Sequence, residues 1–339
     1  MAGRIGTLAV HHFCTYFDHR YLKRGLALYE SLQEHSGDFT LWVLCLSQQC
    51  HKTLLQINKK NIRIISLDEL ERYFPQLLAA KHTRTLIEYY FTLTPALPLF
   101  ILKQFSDIPM VTYCDADIFF FSNPEVVFSE IGKSSIALIE HRFPPHLRHL
   151  VEFGRFNVGW ISFRNDLEGL RCLRWYYEKC LECCSDLHTK QAFADQKYLD
   201  DVPTLFTKVH VIQHSGANVA PWNVDSFLFS YKNHIIFVGD QPLIFYHFHG
   251  LRRFGPIFIM GLHAYKARST VLFKKEIYIP YLRKMALLHL KSRHCRLGSL
   301  SRHSYRGNKA LLGRTIFTNT RMCIKAFLTG TVLFFWEKM

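Results

Sequence analysis

The sequence predicts an α/β fold built on a single mixed, mostly parallel sheet flanked by helices, and three observations lead there. Short apolar runs of strand character alternate with segments of helical period, the pattern left by helical crossovers between parallel strands. The chain has 339 residues, 49% of them hydrophobic and 15% aromatic, enough to bury a large core. No apolar run reaches the roughly 20 residues of a membrane span, and the start, MAGRIGTLAVHHF, has too short an apolar run for a secretory signal. A cytosolic protein is therefore expected. The ten cysteines are scattered and only Cys180, Cys183 and Cys184 cluster, which suits a reducing compartment and ordinary helix positions better than a zinc site.

Taken in order, Leu8 to Tyr16 reads as a first strand, and the segment from Asp18 opens an amphipathic helix through Gly25, Leu28 and Leu32. A strand, a turn and a helix at this place suggest a nucleotide-binding half-sheet. Phe39 to Leu46 and Ile62 to Ser66 are the next strands, with a helix over Lys52 to Lys60 between them. No Gly-x-Gly-x-x-Gly follows the first strand, which disfavours a dinucleotide fold with a glycine phosphate loop. Thr83 to Lys103 is helical, with Pro95 and Pro98 shaping its middle. Arg84 at its start is open between a surface charge and a clamp on a phosphate or sugar hydroxyl. Further strands are read at Ser135 to Glu140, Phe156 to Arg164, Val209 to Ile212 and Leu243 to Phe248, with a helix over Arg171 to Cys184 and a turn at Ala220 to Asn223. Gly159, inside a strand, marks a place where something approaches the backbone.

The chemistry centres on VTYCDADIFFFSNP, Val111 to Pro124. It reads as a buried strand ending in acid, with Asp115 and Asp117 on one side of the pleat and the small Ala116 between them. Two carboxylates there can hold a hard divalent cation, and such a cation can hold a diphosphate. The tripeptide is short enough to occur by chance, but two unpaired carboxylates between Met110–Tyr113 and Ile118–Phe121 would cost several kcal/mol, so a metal or Arg and Lys partners are required. An aspartate-nucleophile phosphatase also uses Asp-x-Asp at a strand end, but it wants Thr or Val two positions after the second Asp, where this chain has Phe119.

Five segments in order, YCDADIFFFSNP, FNVGWISFRND, FADQKYLD, APWN and HFHGLRR, resemble the successive motifs of metal-dependent glycosyltransferases of the type-A (nucleotide-diphospho-sugar transferase) fold similar to family 8, which are mostly sugar-retaining. FCTYFDHRYLKRGLALYESL also resembles that family's first nucleotide-binding strand and helix. The resemblance covers about residues 8 to 255, and it is nearest to bacterial proteins that share EYYFTLTP and DQKYLD. It implies Mn²⁺ or Mg²⁺ held by Asp115, Asp117 and His247, with Asp115 also near the ribose. Gly250 would let the diphosphate approach, and Arg253 stands where the family usually has Lys. Asn157 and Asp195 would bind the donor sugar, Gln196 would sit beside the reacting carbon, and Thr15, Tyr16 and Asp18 would face the base. The implied activity is that of a hexosyltransferase, moving a sugar from a nucleotide donor to a glycan or lipid-linked acceptor in surface-polysaccharide assembly. His247 and His249 both have a plainer alternative as strand-end histidines.

The net charge of +15 is segregated: residues 252–339 hold 18 Lys and Arg against 2 acids. Residues 277–339 are read as a basic, partly amphipathic helical extension to a transferase domain over 1–276, with a helix at Pro280 to His294, a loop-like RLGSLSRHSYRGN and a final apolar run, Ala326 to Trp336. An anionic membrane surface or an acidic or lipid-linked acceptor would suit it, with the enzyme peripheral on the inner face of the membrane. A solvated cap whose last run packs on the core is the plainer alternative. No helix-turn-helix, zinc-finger or RNP pattern is present to point to nucleic acid. A non-catalytic polyanion- or membrane-binding protein on a transferase-like scaffold is the rival function. It explains the tail but not why Asp115, Asp117, Asp195 and His247 all stand.

Overall fold

The computed structural model of the chain describes residues 10–185, 193–254, 256–294, 326 and 328–334. The first half-sheet alternates as the apolar pattern requires: β1 (His11–Phe17), α1 (Leu22–His35), β2 (Phe39–Cys45), α2 (Gln48–Ile57) and β3 (Ile62–Ser66). Two short helices that the pattern had not suggested follow, α3 (Leu67–Tyr73) and α4 (Gln76–Thr83). Then comes α5 (Leu86–Gln104), one continuous helix despite Pro95 and Pro98. Its start is fixed by a capping box: Thr85 Oγ1 accepts the Glu88 amide at 3.3 Å and Glu88 returns a carboxylate to the Thr85 amide at 2.9 Å. The buried Leu93, Leu97 and Phe100 then hold it against the sheet, so packing outweighs the two missing donors.

The second half supplies β4 (Met110–Cys114), β5 (Ile118–Phe120), α6 (Glu125–Ile131), β6 (Ile136–Glu140), β7 (Phe156–Arg164), α7 (Leu167–Glu182), α8 (Val202–Leu205) and β8 (Val209–Val211). Seven strands form one sheet in the order β3-β2-β1-β4-β7-β6-β8. Every neighbouring pair is parallel except those made by β7, which runs against both β4 and β6. This is the mixed, mostly parallel sheet expected. Alternate residues of each strand feed cores on its two faces: Phe13 and Val43 join α1 on one side, and Cys14 and Leu44 join α5 and α7 on the other.

A meander of β9 (Phe229–Lys232), β10 (Ile235–Val238) and β11 (Gln241–Pro242) precedes β12 (Phe245–His247), which leaves the main sheet to pair antiparallel with β5. After β13 (Arg252–Phe254) and β14 (Ile257–Ile259), a π-helical turn over Phe273–Tyr278 runs into α9 (Ile279–His294). Tyr278 and Tyr281 are fully buried there, and the Tyr281 ring stacks on Phe248 at 3.8 Å. The expected domain boundary between residues 276 and 277 thus falls inside a packed turn. From the final apolar run, β15 (Val332–Phe334) pairs with β14 and buries Leu333. The RLGSLSRHSYRGN segment lies outside the described residues. Among them, no helix is long and apolar enough to cross a membrane.

Candidate metal and donor site

Asp115 and Asp117 do not share a strand, as the sequence had suggested. Strand β4 stops at Cys114 and the chain turns over Asp115–Asp117, the Ile118 amide donating to the Asp115 carbonyl at 3.1 Å. The turn sends β5 against β12, in a register that sets His247 opposite Ile118. The Phe248 amide then closes onto the Asp117 carbonyl at 2.9 Å. A histidine 130 positions downstream is carried to the two aspartates by this short pair of strands.

Three side chains converge there. His247 Nε2 lies 3.1 Å from Asp117 Oδ1 and 3.5 Å from Asp115 Oδ2. The three ligand atoms lie within 4.8 Å of one another. The second oxygen of each carboxylate is used from behind: Tyr113 Oη donates to Asp115 Oδ1 at 2.9 Å, and Arg24 Nη1 to Asp117 Oδ2 at 3.3 Å. One oxygen of each aspartate is therefore left for the centre, together with the imidazole nitrogen. Two carboxylate oxygens and an imidazole suit Mn²⁺ well and Mg²⁺ acceptably, so the donor set fits the cation that the resemblance implied.

The electrostatics follow from burial and charge. Burial pushes the Asp117 carboxyl up, but the His247 charge, its hydrogen bond and the Arg24 guanidinium outweigh it and hold the group below the usual carboxylate range. Burial likewise raises Asp115, where the His247 charge only partly opposes it. Burial lowers His247, yet Asp117 beside it wins and the imidazole is raised above its ordinary value. Burial also keeps the Tyr113 phenol protonated, a donor to Asp115.

The turn borders a cleft of about 460 Å³ between the end of β1 and the start of α5, lined by Tyr16, Asp18 and Arg20 on one wall and Tyr90 and Phe91 on the other. Tyr16 and Asp18, expected to face the base, are thus at the cleft. Tyr16 Oη reaches Thr94 at 3.1 Å, and Asp18 accepts the amides of Arg20 and Tyr21 at the entry to α1. Thr15 is not: strand alternation turns it away from the cleft, and it is fully buried. Arg84 is also elsewhere. Its guanidinium donates to Thr92 Oγ1 and to the Cys180 and Leu181 carbonyls at the end of α7, which makes it a brace for that helix rather than a ligand clamp. Arg253 is exposed on β13 over the Phe258 ring, outside the cleft. Its strand, β13, pairs with β14, which sets Arg253 opposite Phe258.

Asn157, Asp195 and Gln196 are not among the residues that line the cleft. Asn157 Oδ1 accepts the Gly159 amide at 3.0 Å, and Gly159 is indeed closely approached, by the chain's own Asn157 and His247. Asp195 is buried beside Thr94. Burial raises its carboxyl to about 7, with the Asp115 charge adding to it and the Thr94 hydrogen bond opposing. Gln196 Nε2 donates to the Phe153 carbonyl at 2.9 Å. Gly250 adopts a φ of 70° in the loop after His247 and His249, a conformation that favours glycine. His249, read as a plain strand-end residue, lines the cleft near the aspartates.

The sequence reading missed Arg24. It donates to Asp117 and also, at 2.6 Å, to the Leu251 carbonyl, tying α1, the aspartate turn and the His247 loop together. At the next position, Gly25, a side chain would begin 2.1 Å from the Phe17 ring, so glycine lets α1 lie against the end of β1 without displacing that ring. An Arg-Gly pair early in a helix carries no signal of this in one sequence.

No protein-family model matches the chain. Two Bacillus subtilis proteins match over most of its length. YfnD is 31% identical over 283 residues, which is 81% of this chain and 88% of YfnD. YfnF is 33% identical over 276 residues, 78% of this chain and 89% of YfnF. Both carry the description of uncharacterized proteins. Among solved structures, the galactosyltransferase LgtC in complex with donor and acceptor sugar analogs is 14% identical, with 70% of this chain and 87% of that one covered and a TM-score of 0.47. Mouse xyloside xylosyltransferase 1 is 16% identical, with 71% and 98% covered and a TM-score of 0.47.

Proposed function

The chain belongs to the family of YfnD and YfnF, and from its site we propose that it is a metal-dependent glycosyltransferase. It moves a sugar from a nucleoside diphosphate, most simply UDP, to a glycan or lipid-linked acceptor in cell-surface polysaccharide assembly, with retention. The observation that supports this best is the meeting of Asp115, Asp117 and His247 at the edge of a cleft with aromatic walls. Asp115 Oδ2, Asp117 Oδ1 and His247 Nε2 would hold Mn²⁺ or Mg²⁺. Bound there, the cation would neutralise charge on the departing diphosphate.

The remaining roles belong to the chain's own groups. Tyr16, Asp18 and Tyr90 would receive the base and ribose, and the Gly250 turn would let the diphosphate lie close to backbone. Arg24, already at Asp117, and Arg20 on the cleft wall supply the positive charge that Arg253 was expected to bring. Asp195, its carboxyl raised to about 7 by burial, would offer an O–H to a sugar hydroxyl, and Asn157 a carboxamide. The Gln196 carboxamide is the polar group proposed for the reacting carbon, with an oxocarbenium-like centre. Residues 277–339, with their excess of cations, would hold the enzyme at an anionic membrane surface.

Asp117→Ala tests the site. With the fold intact, Mn²⁺ affinity and sugar transfer should both fall by at least two orders of magnitude; full transfer by the variant would remove the metal from the reaction.

A further inference from the structure

His247 presents Nε2 to the aspartates, and its other ring nitrogen, Nδ1, is buried without a hydrogen-bond partner among the described residues. A histidine that ligates a metal through one nitrogen almost always donates its other N–H to an acceptor, which fixes both the tautomer and the plane of the ring. The acceptor for His247 must come from the few groups around Nδ1. The point where a side chain on Gly159 would begin lies 2.9 Å from His247 Nδ1, 2.5 Å from Asn157 Oδ1 and 3.3 Å from Asn218 Oδ1, so these atoms share one small space.

Asn157 spends its nitrogen on His141 and one of its two oxygen lone pairs on the Gly159 amide, which makes it the more occupied of the two carboxamides. Trp222, edge-on to His247 with centroids 5.1 Å apart, has only an indole N–H, which can donate but not accept. Asn218 remains. Its side chain is fully buried, and neither its Oδ1 nor its Nδ2 has a partner among the described residues. The neighbouring Val219 carbonyl accepts the His247 amide at 2.8 Å, which holds the two residues side by side. The structural demands at this position are met by the backbone: Asn218 has a φ of 57°, which glycine also adopts, and its main-chain carbonyl is the group that Asn223 binds.

We propose that Asn218 is the positioning residue of the metal-ligating His247, its carboxamide oxygen accepting the Nδ1 hydrogen so that Nε2 is aimed at the cation. This rests on the metal-site reading above. The test is Mn²⁺ titration of the full chain and of Asn218→Gly and Asn218→Asp, each shown to be folded by circular dichroism. Asn218→Gly keeps the left-handed backbone and removes the acceptor, and its Mn²⁺ affinity should drop about 10- to 100-fold. Asn218→Asp keeps an acceptor oxygen, and its affinity should equal or exceed that of the unaltered protein. Unchanged affinity in the glycine variant, or equal weakening in both, would overturn the proposal. Should the glycine variant not fold, the aspartate variant decides alone, and weaker binding than the unaltered chain overturns it. Absence of Mn²⁺ binding by the unaltered chain would instead refute the metal site itself, and Asn218 with it.

Discussion

Arg24 is the residue that joins the parts of the site. Its fork spans Asp117 and the Leu251 carbonyl, so one side chain both orients a carboxylate and anchors the loop after His247. Arg24→Ala should weaken Mn²⁺ binding about 10- to 100-fold. Arg24→Lys should recover little of it, because an ammonium cannot reproduce the two-pronged contact; isothermal titration of both variants checks this. Asp195 carries a pH signature. Its carboxyl is raised to about 7 in the folded chain, so between the unfolded value of about 3.9 and that point the folded state binds more protons than the unfolded one. Stability from this group is present below the unfolded value and lost as pH rises through the folded one. In metal-free protein, the melting temperature should therefore decline from pH 4 to pH 7 relative to that of Asp195→Asn; parallel profiles would contradict the shift. Asp115 and Asp117 were legible because carboxylates among aromatics demand an explanation, whereas His247 was reached only through the resemblance carried by HFHGLRR. Arg24, Tyr113 and Asn218 stand around these three side chains, and nothing in their own neighbourhoods distinguishes them from ordinary helix, strand and loop residues.

At the scale of elements, the apolar periodicity located most strands of the main sheet to within a residue or two, including Ile62–Ser66 and Phe156–Arg164. What periodicity does not encode is direction and partnership. The reversal of β7 and the pairing of β5 with β12 are tertiary facts, and the second is what brings His247 to Asp117. The same gap explains Arg84, whose place next to a helix start said nothing of α7. Because that guanidinium braces the last carbonyls of α7, Arg84→Met should lower unfolding free energy by about 1–3 kcal/mol and leave donor binding unchanged. Urea denaturation and nucleotide titration read the two effects separately, and lost donor affinity in a stable variant would return Arg84 to the cleft.

For the whole molecule, the charge asymmetry and the sheet are parts of one arrangement. The turn over Phe273–Tyr278 and the start of α9 pack on α1 and Phe248, directly behind the aspartate turn, so the basic last quarter begins within the same packed core. Flotation with vesicles tests what its charge does: binding should require anionic lipid and fall steeply as salt is raised, whereas equal flotation with zwitterionic vesicles would contradict an electrostatic role. The central claim concerns the cleft, and the most direct measurement is release of nucleoside diphosphate from a panel of UDP- and GDP-sugars with Mn²⁺, with Mg²⁺ or with EDTA. Slow release from one donor, dependent on the cation and abolished by Asp117→Ala, is the predicted result. Folded protein that neither binds nor turns over any of these donors in Mn²⁺ would contradict it.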